Sequence, residues 1–212
     1  MPYLSFASRT TPVKQLRPVV IVFALASAGL LSGCAGALIG AGATTATAAS
    51  EERGLEGAID DAKIRAEINH LWFQRDIEMY RQVTLTIKEG RVLLTGTVPG
   101  TDARVEAVRL SWQAAGVREV LNEIQVHGDT GFSDYTKDVT ISQKMKSRLL
   151  FDKEVRNINY TVDVNDAVIY LMGVAQNEAE LQRVIAYARD ISGVKGVVSH
   201  VRLKNDPRRI GG

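Results

Sequence analysis

The sequence has 212 residues, of which 45% are hydrophobic and 24% are charged, an ordinary globular composition with room for one or two small domains. The formal net charge is +2, but Arg9, Lys14 and Arg17 all lie in the basic start of the chain, before Cys34. The chain from Cys34 onward has a net charge of −1. The basic balance therefore gives no support to a nucleic-acid-binding function.

Cys34 is the only cysteine, so the chain cannot form an internal disulfide. It ends the tetrapeptide Leu31-Ser32-Gly33-Cys34, which follows an apolar run, Val19–Leu31. This run is shorter than the roughly 20 residues that a transmembrane helix needs. The basic start, the apolar run and the small residues before the cysteine resemble a bacterial lipobox, where signal peptidase II cuts before a cysteine that carries lipid. We predict a lipoprotein signal peptide over residues 1–33 and lipidation of Cys34; a free thiol after an ordinary signal sequence, or a short buried helix, is the alternative.

Residues 34–57 follow as a tether, and Ala35–Ser50 consists almost entirely of alanine, glycine and threonine, which is typical of a flexible spacer. Several acyl chains, each contributing about 0.8 kcal/mol per buried CH₂, would hold such a protein on a membrane permanently. Enteric-type lipoprotein sorting retains proteins with aspartate after the lipidated cysteine in the inner membrane. Because Ala35 stands there, we expect an outer-membrane protein that faces the periplasm.

An internal repeat dominates the rest of the chain. A shift of 77 residues aligns the two halves without a gap. The matched apolar pairs include Ile64/Ile141, Ile68/Met145, Leu85/Val162, Ile87/Val164, Val120/Val197 and Ile124/Val201. Two glycine pairs also match, Gly96/Gly173 and Gly116/Gly193. The second half is therefore a duplicate of the first and should share its fold.

The first unit, residues 58–128, begins with helical spacing of apolar side chains and continues with alternating strands. Its predicted elements are a helix (Asp61–Trp72), a strand (Val83–Ile87), a turn (Glu89-Gly90), a strand (Arg91–Val98), a helix (Thr101–Ala115) and a strand (Glu119–Val126). Gly116 suits the left-handed position after a helix, and Gly96, inside a strand, suggests close packing of the sheet against a helix.

The second unit, residues 136–204, repeats this order. Its predicted elements are Asp138–Leu150 (helix), Tyr160–Val164 (strand), Asn165-Asp166 (turn), Val168–Ala175 (strand), Asn177–Ile191 (helix) and Val197–Leu203 (strand). The fold class is α+β: two tandem αββαβ domains, each with a three-stranded mixed sheet covered on one face by two helices. The linker is short, so the domains should touch, and residues 205–212 form a basic tail that we expect to be disordered.

The motifs Leu94-Thr95-Gly96-Thr97-Val98 and Gly116-Val117-Arg118-Glu119-Val120, with their counterparts in the second unit, resemble the BON domain. A lipobox followed by two such units is similar to the dual-BON outer-membrane lipoproteins of Gram-negative bacteria. This resemblance covers nearly all of the chain after Cys34. It implies a non-enzymatic, periplasm-facing module associated with phospholipid binding and outer-membrane integrity.

No pattern in the sequence points to catalysis or to a metal. His70, His127 and His200 are scattered and lack ligand spacing, so we interpret them as exposed or edge residues. The acidic pairs Asp60-Asp61 and Asp76/Glu78 fall at a predicted helix start and in a predicted loop. We expect no enzymatic activity, no metal and no cofactor beyond the lipid on Cys34.

The two copies differ most in the charge of their first helices. In the second copy the basic residues are Lys137, Lys144, Lys146 and Arg148. We predict that they bind the headgroups of an anionic phospholipid membrane, because lysine stems can lie on apolar surface while their charges meet the lipid. Phe132, Tyr135 and Phe151 are the candidate aromatics for the membrane interface. A solvated basic helix face, with Tyr135 and Phe151 packed between the domains, is the alternative.

Two further functions remain open. The first is a protein adaptor that binds outer-membrane assembly proteins such as the β-barrel assembly complex, and the second is a periplasmic sensor of ions or small ligands. Lipid binding through lysines should weaken at high ionic strength, whereas an apolar protein interface should not.

Overall fold

The computed structural model describes residues 54–127 and 132–210, so the predicted signal peptide, Cys34 and most of the tether lie outside it. The first half forms, in order, α1 (Gly54–Arg75), α2 (Ile77–Gln82), β1 (Val83–Lys88), β2 (Arg91–Val98), α3 (Thr101–Ser111), β3 (Glu119–Asn122) and β4 (Gln125–Val126). The second half forms α4 (Phe132–Phe151), a 3₁₀ turn (Asn157–Asn159), β5 (Tyr160–Asn165), β6 (Val168–Ala175), α5 (Glu178–Arg189), β7 (Gly196–Leu203) and α6 (Pro207–Ile210).

Each half builds one mixed sheet with the same topology. In the first, β2 pairs antiparallel with β1 and parallel with β3 and β4, and in the second β6 pairs antiparallel with β5 and parallel with β7. The registers match as well, since Val83 faces Gly96 and Tyr160 faces Gly173. The predicted α+β class is confirmed.

The helices cover one face of each sheet, as the helical spacing predicts. In the first half Ile64, Ile68 and Trp72 of α1 pack with Ala107 and Leu110 of α3 over the sheet. The indole nitrogen of Trp72 donates to the carbonyl oxygen of Ala107 at 3.2 Å, which satisfies the one polar group of this buried side chain. The second half repeats the arrangement with Ile141, Met145 and Leu149 of α4 against Val184 and Ala188 of α5.

Four details differ from the sequence-based expectation. The third strand is interrupted at Glu123, because the Asn122 side chain accepts the backbone N–H of Ile124. The predicted loop is reduced to Asp76, whose side chain accepts the backbone N–H of Glu78 and caps α2, a helix that we had not predicted. Asp61, placed at a helix start, lies inside α1. The chain also does not become disordered at residue 205, since Pro207–Ile210 is helical.

The side chain of Asp61 connects α1 to the turn of the β1–β2 hairpin. Its carboxylate accepts the backbone N–H groups of Glu89 and Gly90 at 3.0 and 2.9 Å, and both of these turn residues have positive φ. Asp138 makes the same pair of bonds, to Asp166 and Ala167 at 2.8 and 2.7 Å. Left-handed conformation is costly for residues other than glycine. The carboxylate therefore stabilises a turn that the local sequence favours only weakly.

The two matched strand glycines allow another close approach. A Cβ atom on Gly96 would overlap the carbonyl oxygen of Gln82, and one on Gly173 would overlap that of Asn159. Both glycines also have positive φ. The expected close packing is present, but the neighbour is the backbone that leads into the first strand of the sheet and not the face of a covering helix.

The helix-free faces of the two sheets pack against each other, so the domains touch as expected. Leu93 of β2 lies against Tyr170 and Met172 of β6, and all three are almost fully buried. Positions 77 residues apart meet: Leu93 lies against Tyr170, and the side chains of Glu123 and His200 bond at 2.9 Å. Leu121 and Val198, also 77 residues apart, both pack against the same apolar cluster. Contact between equivalent positions is the mark of a two-fold arrangement, so the chain is built as an internal pseudo-dimer.

We expect Asp61→Asn to lower the free energy of unfolding by about 1.5–3 kcal/mol, because an amide cannot accept both turn N–H groups through charged oxygens. Urea unfolding followed by circular dichroism measures the effect. Asp60→Asn is the matched control, since Asp60 is exposed and pairs with Lys63 at the surface. Equal effects of the two substitutions would contradict the role assigned to Asp61.

Candidate functional site

Helix α4 has two exposed flanks on either side of its buried stripe. One flank carries Tyr135, Val139, Lys146 and Leu150, and the other carries Lys137, Lys144, Arg148 and Phe151. The side chain of Phe132 is outside the described residues. Tyr135 is 68% exposed and Phe151 79%, so neither packs between the domains. The helix thus presents apolar and basic side chains together to solvent.

The four basic residues are not equivalent. Lys137, Lys144 and Lys146 are exposed, whereas Arg148 is half-buried. Its guanidinium donates to Tyr187 O at 3.0 Å, pairs with Asp190 at 2.9 Å, and stacks over the Tyr187 ring. Arg148 therefore ties α4 to α5, and its charge is largely committed before any lipid arrives. Of the four predicted headgroup ligands it is the one that the geometry supports least.

Two apolar positions escaped the sequence interpretation. Val139 is 41% exposed and Leu150 is 62% exposed, and both share a flank with Lys146. The signal was present at the end of the helix. Leu149, Leu150 and Phe151 are consecutive, and a helix with 3.6 residues per turn cannot bury all three on one face.

A groove of about 520 Å³ separates this flank from the first domain. Tyr135, Val139 and Lys146 form one wall, and Arg81 and Thr97 lie on the other. Asp163 also lines the groove and accepts a hydrogen bond from Thr95 across the seam between the domains. Burial raises the pKa of Asp163; the Thr95 hydrogen bond and the charge of Lys146 act in the opposite direction.

The first domain has its own exposed apolar surface, which the sequence interpretation also missed. Phe73, Ile77 and Tyr80 are all exposed near the junction of α1 and α2, and the two rings meet edge to face at 6.0 Å. Their grouping depends on α2, a helix that the predicted loop left out. We refer to these three residues as the Phe73 patch.

The structure does not bring the three histidines together. His70 and His127 are exposed, and His200 is half-buried against Glu123. Across residues 54–127 and 132–210 no group of three or more histidine, cysteine or acidic side chains is arranged to hold a metal ion. Within the same ranges no helix combines the length and apolarity needed to cross a bilayer.

The fold and its duplication match a known domain. The BON domain family matches residues 60–128 and again residues 137–205. The chain belongs to the BON domain family. Its two halves are therefore two BON domains in tandem, which confirms the resemblance stated from the motifs at Leu94–Val98 and Gly116–Val120.

Three relatives are similar to this chain over most of its length. A protein of Anaplasma centrale, described as an uncharacterized protein in the gshII 5' region, is 41% identical over 71% of this chain and 99% of its own. The outer membrane lipoprotein DolP of Haemophilus influenzae is 33% identical over 79% of this chain and 87% of its own. The osmotically-inducible protein Y of Escherichia coli is 24% identical over 69% and 74%.

The raised pKa of Asp163 gives the BON-domain seam a pH dependence. Between the ordinary aspartate pKa of the unfolded chain and the raised pKa of the folded chain, Asp163 holds its proton more tightly in the folded state. The contribution of Asp163 to the free energy of unfolding therefore falls as the pH rises through this range. Asp163→Asn should raise the free energy of unfolding at pH 7, remove this slope and keep an acceptor for Thr95. Urea unfolding at pH 4 and pH 7 tests it, with the exposed Asp102→Asn as control; an unchanged slope would contradict the assignment.

Proposed function

We propose that this two-BON-domain protein is a lipid-anchored, periplasm-facing protein of the outer membrane that binds anionic phospholipid through α4 and helps maintain the integrity of that membrane. The observation that carries the proposal is the exposed flank of α4. It combines Tyr135, Val139 and Leu150 with Lys146, while Lys144 lies on the opposite flank. The likeness to the outer membrane lipoprotein DolP supports the location.

The estimated binding free energy of α4 fits a weak membrane contact that a lipid anchor would strengthen. Each lysine near an anionic surface contributes about 1 kcal/mol, so Lys137, Lys144 and Lys146 contribute roughly 3 kcal/mol together. Inserting exposed apolar area adds about 25 cal/mol per Å². This alone gives weak and salt-sensitive binding. A lipid on Cys34 holds the domains near the membrane and raises their effective concentration there, which makes weak binding sufficient.

Charge reversal on α4 should abolish binding to anionic vesicles. We expect residues 51–212 to float with phosphatidylglycerol or cardiolipin liposomes and not with neutral ones, and Lys144→Glu with Lys146→Glu to stop flotation. This fragment retains both apolar cores, which consist of residue 64 and later positions. Leu150→Glu should also weaken flotation and leave the folded state intact, since Leu150 is exposed.

The matched control reverses two exposed charges elsewhere in the same domain, Lys153→Glu with Arg189→Glu. It changes the net charge equally, so loss of flotation in both double variants would mean that total charge and not α4 decides binding. Arg148 stays unchanged in these variants because its substitution would break the contact with α5. Wild-type protein that floats with no liposome at all would refute the proposal.

The anchor has a separate test. Cys34→Ser removes the thiol that would carry lipid, so we expect loss of palmitate labelling and release of the protein from the membrane fraction after breakage of the cells. Retention of the wild-type label by Cys34→Ser would contradict the lipobox interpretation. Because α4 is unchanged in this variant, its outcome is independent of the flotation result.

A protein adaptor is the second candidate, and the Phe73 patch favours it. Three exposed apolar residues grouped in space are typical of a contact with another protein. Salt separates the two functions: liposome binding through lysines should fade as ionic strength rises, whereas binding through Phe73 and Tyr80 should persist.

A further inference from the structure

An arginine-rich cleft of about 400 Å³ lies where the first domain, β7 and α6 meet. It is lined by five arginines and two glutamates: Arg91, Arg118, Arg202, Arg208 and Arg209, with Glu89 and Glu119. Asp206, which bonds to Arg208, brings the acids to three and leaves a net charge of +2. None of the lining residues belongs to α4, so the cleft is separate from the proposed membrane face.

The positive charge in this cleft is only partly compensated. Glu119 is shared by two guanidinium groups, that of Arg91 at 2.5 Å and that of Arg202 at 2.9 Å. The Nε of Arg202 is buried and has no hydrogen-bond acceptor in the described part of the chain. Burial lowers the pKa of Arg202, repulsion from Arg91 lowers it further, and Glu119 opposes both. An anion bound in the cleft would compensate the remaining positive charge of the arginine cluster.

Comparison of the two BON domains shows why Arg118 has no acidic partner among the described residues. In the second domain Lys195 pairs with Asp166 at 2.5 Å. The residues 77 positions earlier are Arg118 and Glu89. Here Glu89 is instead held by Arg209 of α6, through contacts of 2.6 to 3.1 Å. Arg118 is exposed, and among the described residues its guanidinium has no acidic partner.

We infer that the cleft is a binding site for a phosphate group, with Arg118 as its main exposed contact. A guanidinium offers two parallel N–H donors that match the oxygens of a phosphate, which a single ammonium does not. The volume lies within the range of small-ligand sites. A free phosphate and the headgroup of a phospholipid share this chemistry, and the site goes beyond the proposed membrane contact of α4.

The test is isothermal titration of the full chain, purified in an uncharged detergent, with two probes at constant ionic strength. The probes are inorganic phosphate and dihexanoyl phosphatidic acid, and chloride is the blank. We expect saturable binding of at least one probe and a loss of about tenfold or more in affinity for Arg118→Ala, the worth of one charge-assisted hydrogen bond. Arg208→Ala, also at an exposed position, should weaken binding in the same direction.

Lys195→Ala is the matched control, because it alters the equivalent position of the other domain and should leave affinity unchanged. Arg118→Lys should restore part of the affinity through charge alone. If both probes bind, the cleft recognises free phosphate. If only the phosphatidic acid binds, the cleft recognises the headgroup of a phospholipid. Saturation by neither probe, or equal losses in Arg118→Ala and Lys195→Ala, would overturn the inference. The variant Lys144→Glu with Lys146→Glu should retain binding, which keeps this result separate from that of flotation.

Discussion

The burial of one sheet against the other is the contact on which the rest of the structure depends. A small mixed sheet with helices on one face leaves its second face uncovered, and in each domain that face is apolar at its centre. Leu93, Tyr170 and Met172 close it, and full burial of such side chains stabilises by about 1.5–3 kcal/mol each. Neither domain has an alternative cover for this face among the described elements, so each completes the fold of the other.

The rim of the same contact is polar, as in many interfaces between separate proteins. Thr95 donates to Asp163, Gln125 donates to Tyr170, and Glu123 bonds to His200. Such bonds set the register of the two sheets because an error would leave buried polar groups without partners. The groove beside α4 and the arginine cleft both contain residues from the two domains, so each of them depends on the packing of the sheets.

Local patterns were sufficient to predict most of the fold. The stripe of Ile141, Met145 and Leu149, the hairpins and the recurring Gly96 and Gly173 all depend on neighbours close in sequence. The sheet-to-sheet contact also had a signal that we did not use. Val92-Leu93-Leu94 and Ile169–Met172 are unbroken apolar runs where a half-exposed strand would alternate, and such runs indicate burial on both faces.

What the sequence could not supply were partners distant along the chain. Arg148 is committed to Asp190, and Arg209 reaches back to Glu89, so neither charge has the freedom that composition suggests. In the sequence, Asp61 looks like a residue that complements the helix dipole. Only the structure shows that its carboxylate holds the turn at Glu89 and Gly90. A charged residue has no preferred partner in a one-dimensional pattern, and only the fold decides which of them stay available to a ligand.

Since the sheets meet through their bare faces, the two helical layers lie on the outside of the sandwich and look in opposite directions. A flat bilayer can touch only one of these layers at a time. If the second domain binds the membrane through α4 as proposed, the helices of the first domain, with the Phe73 patch, would face away from the bilayer. The duplication therefore turns two copies of a domain with helices on one face into a pair of domains with two opposite helical surfaces, so the proposed membrane contact would occupy only one of them.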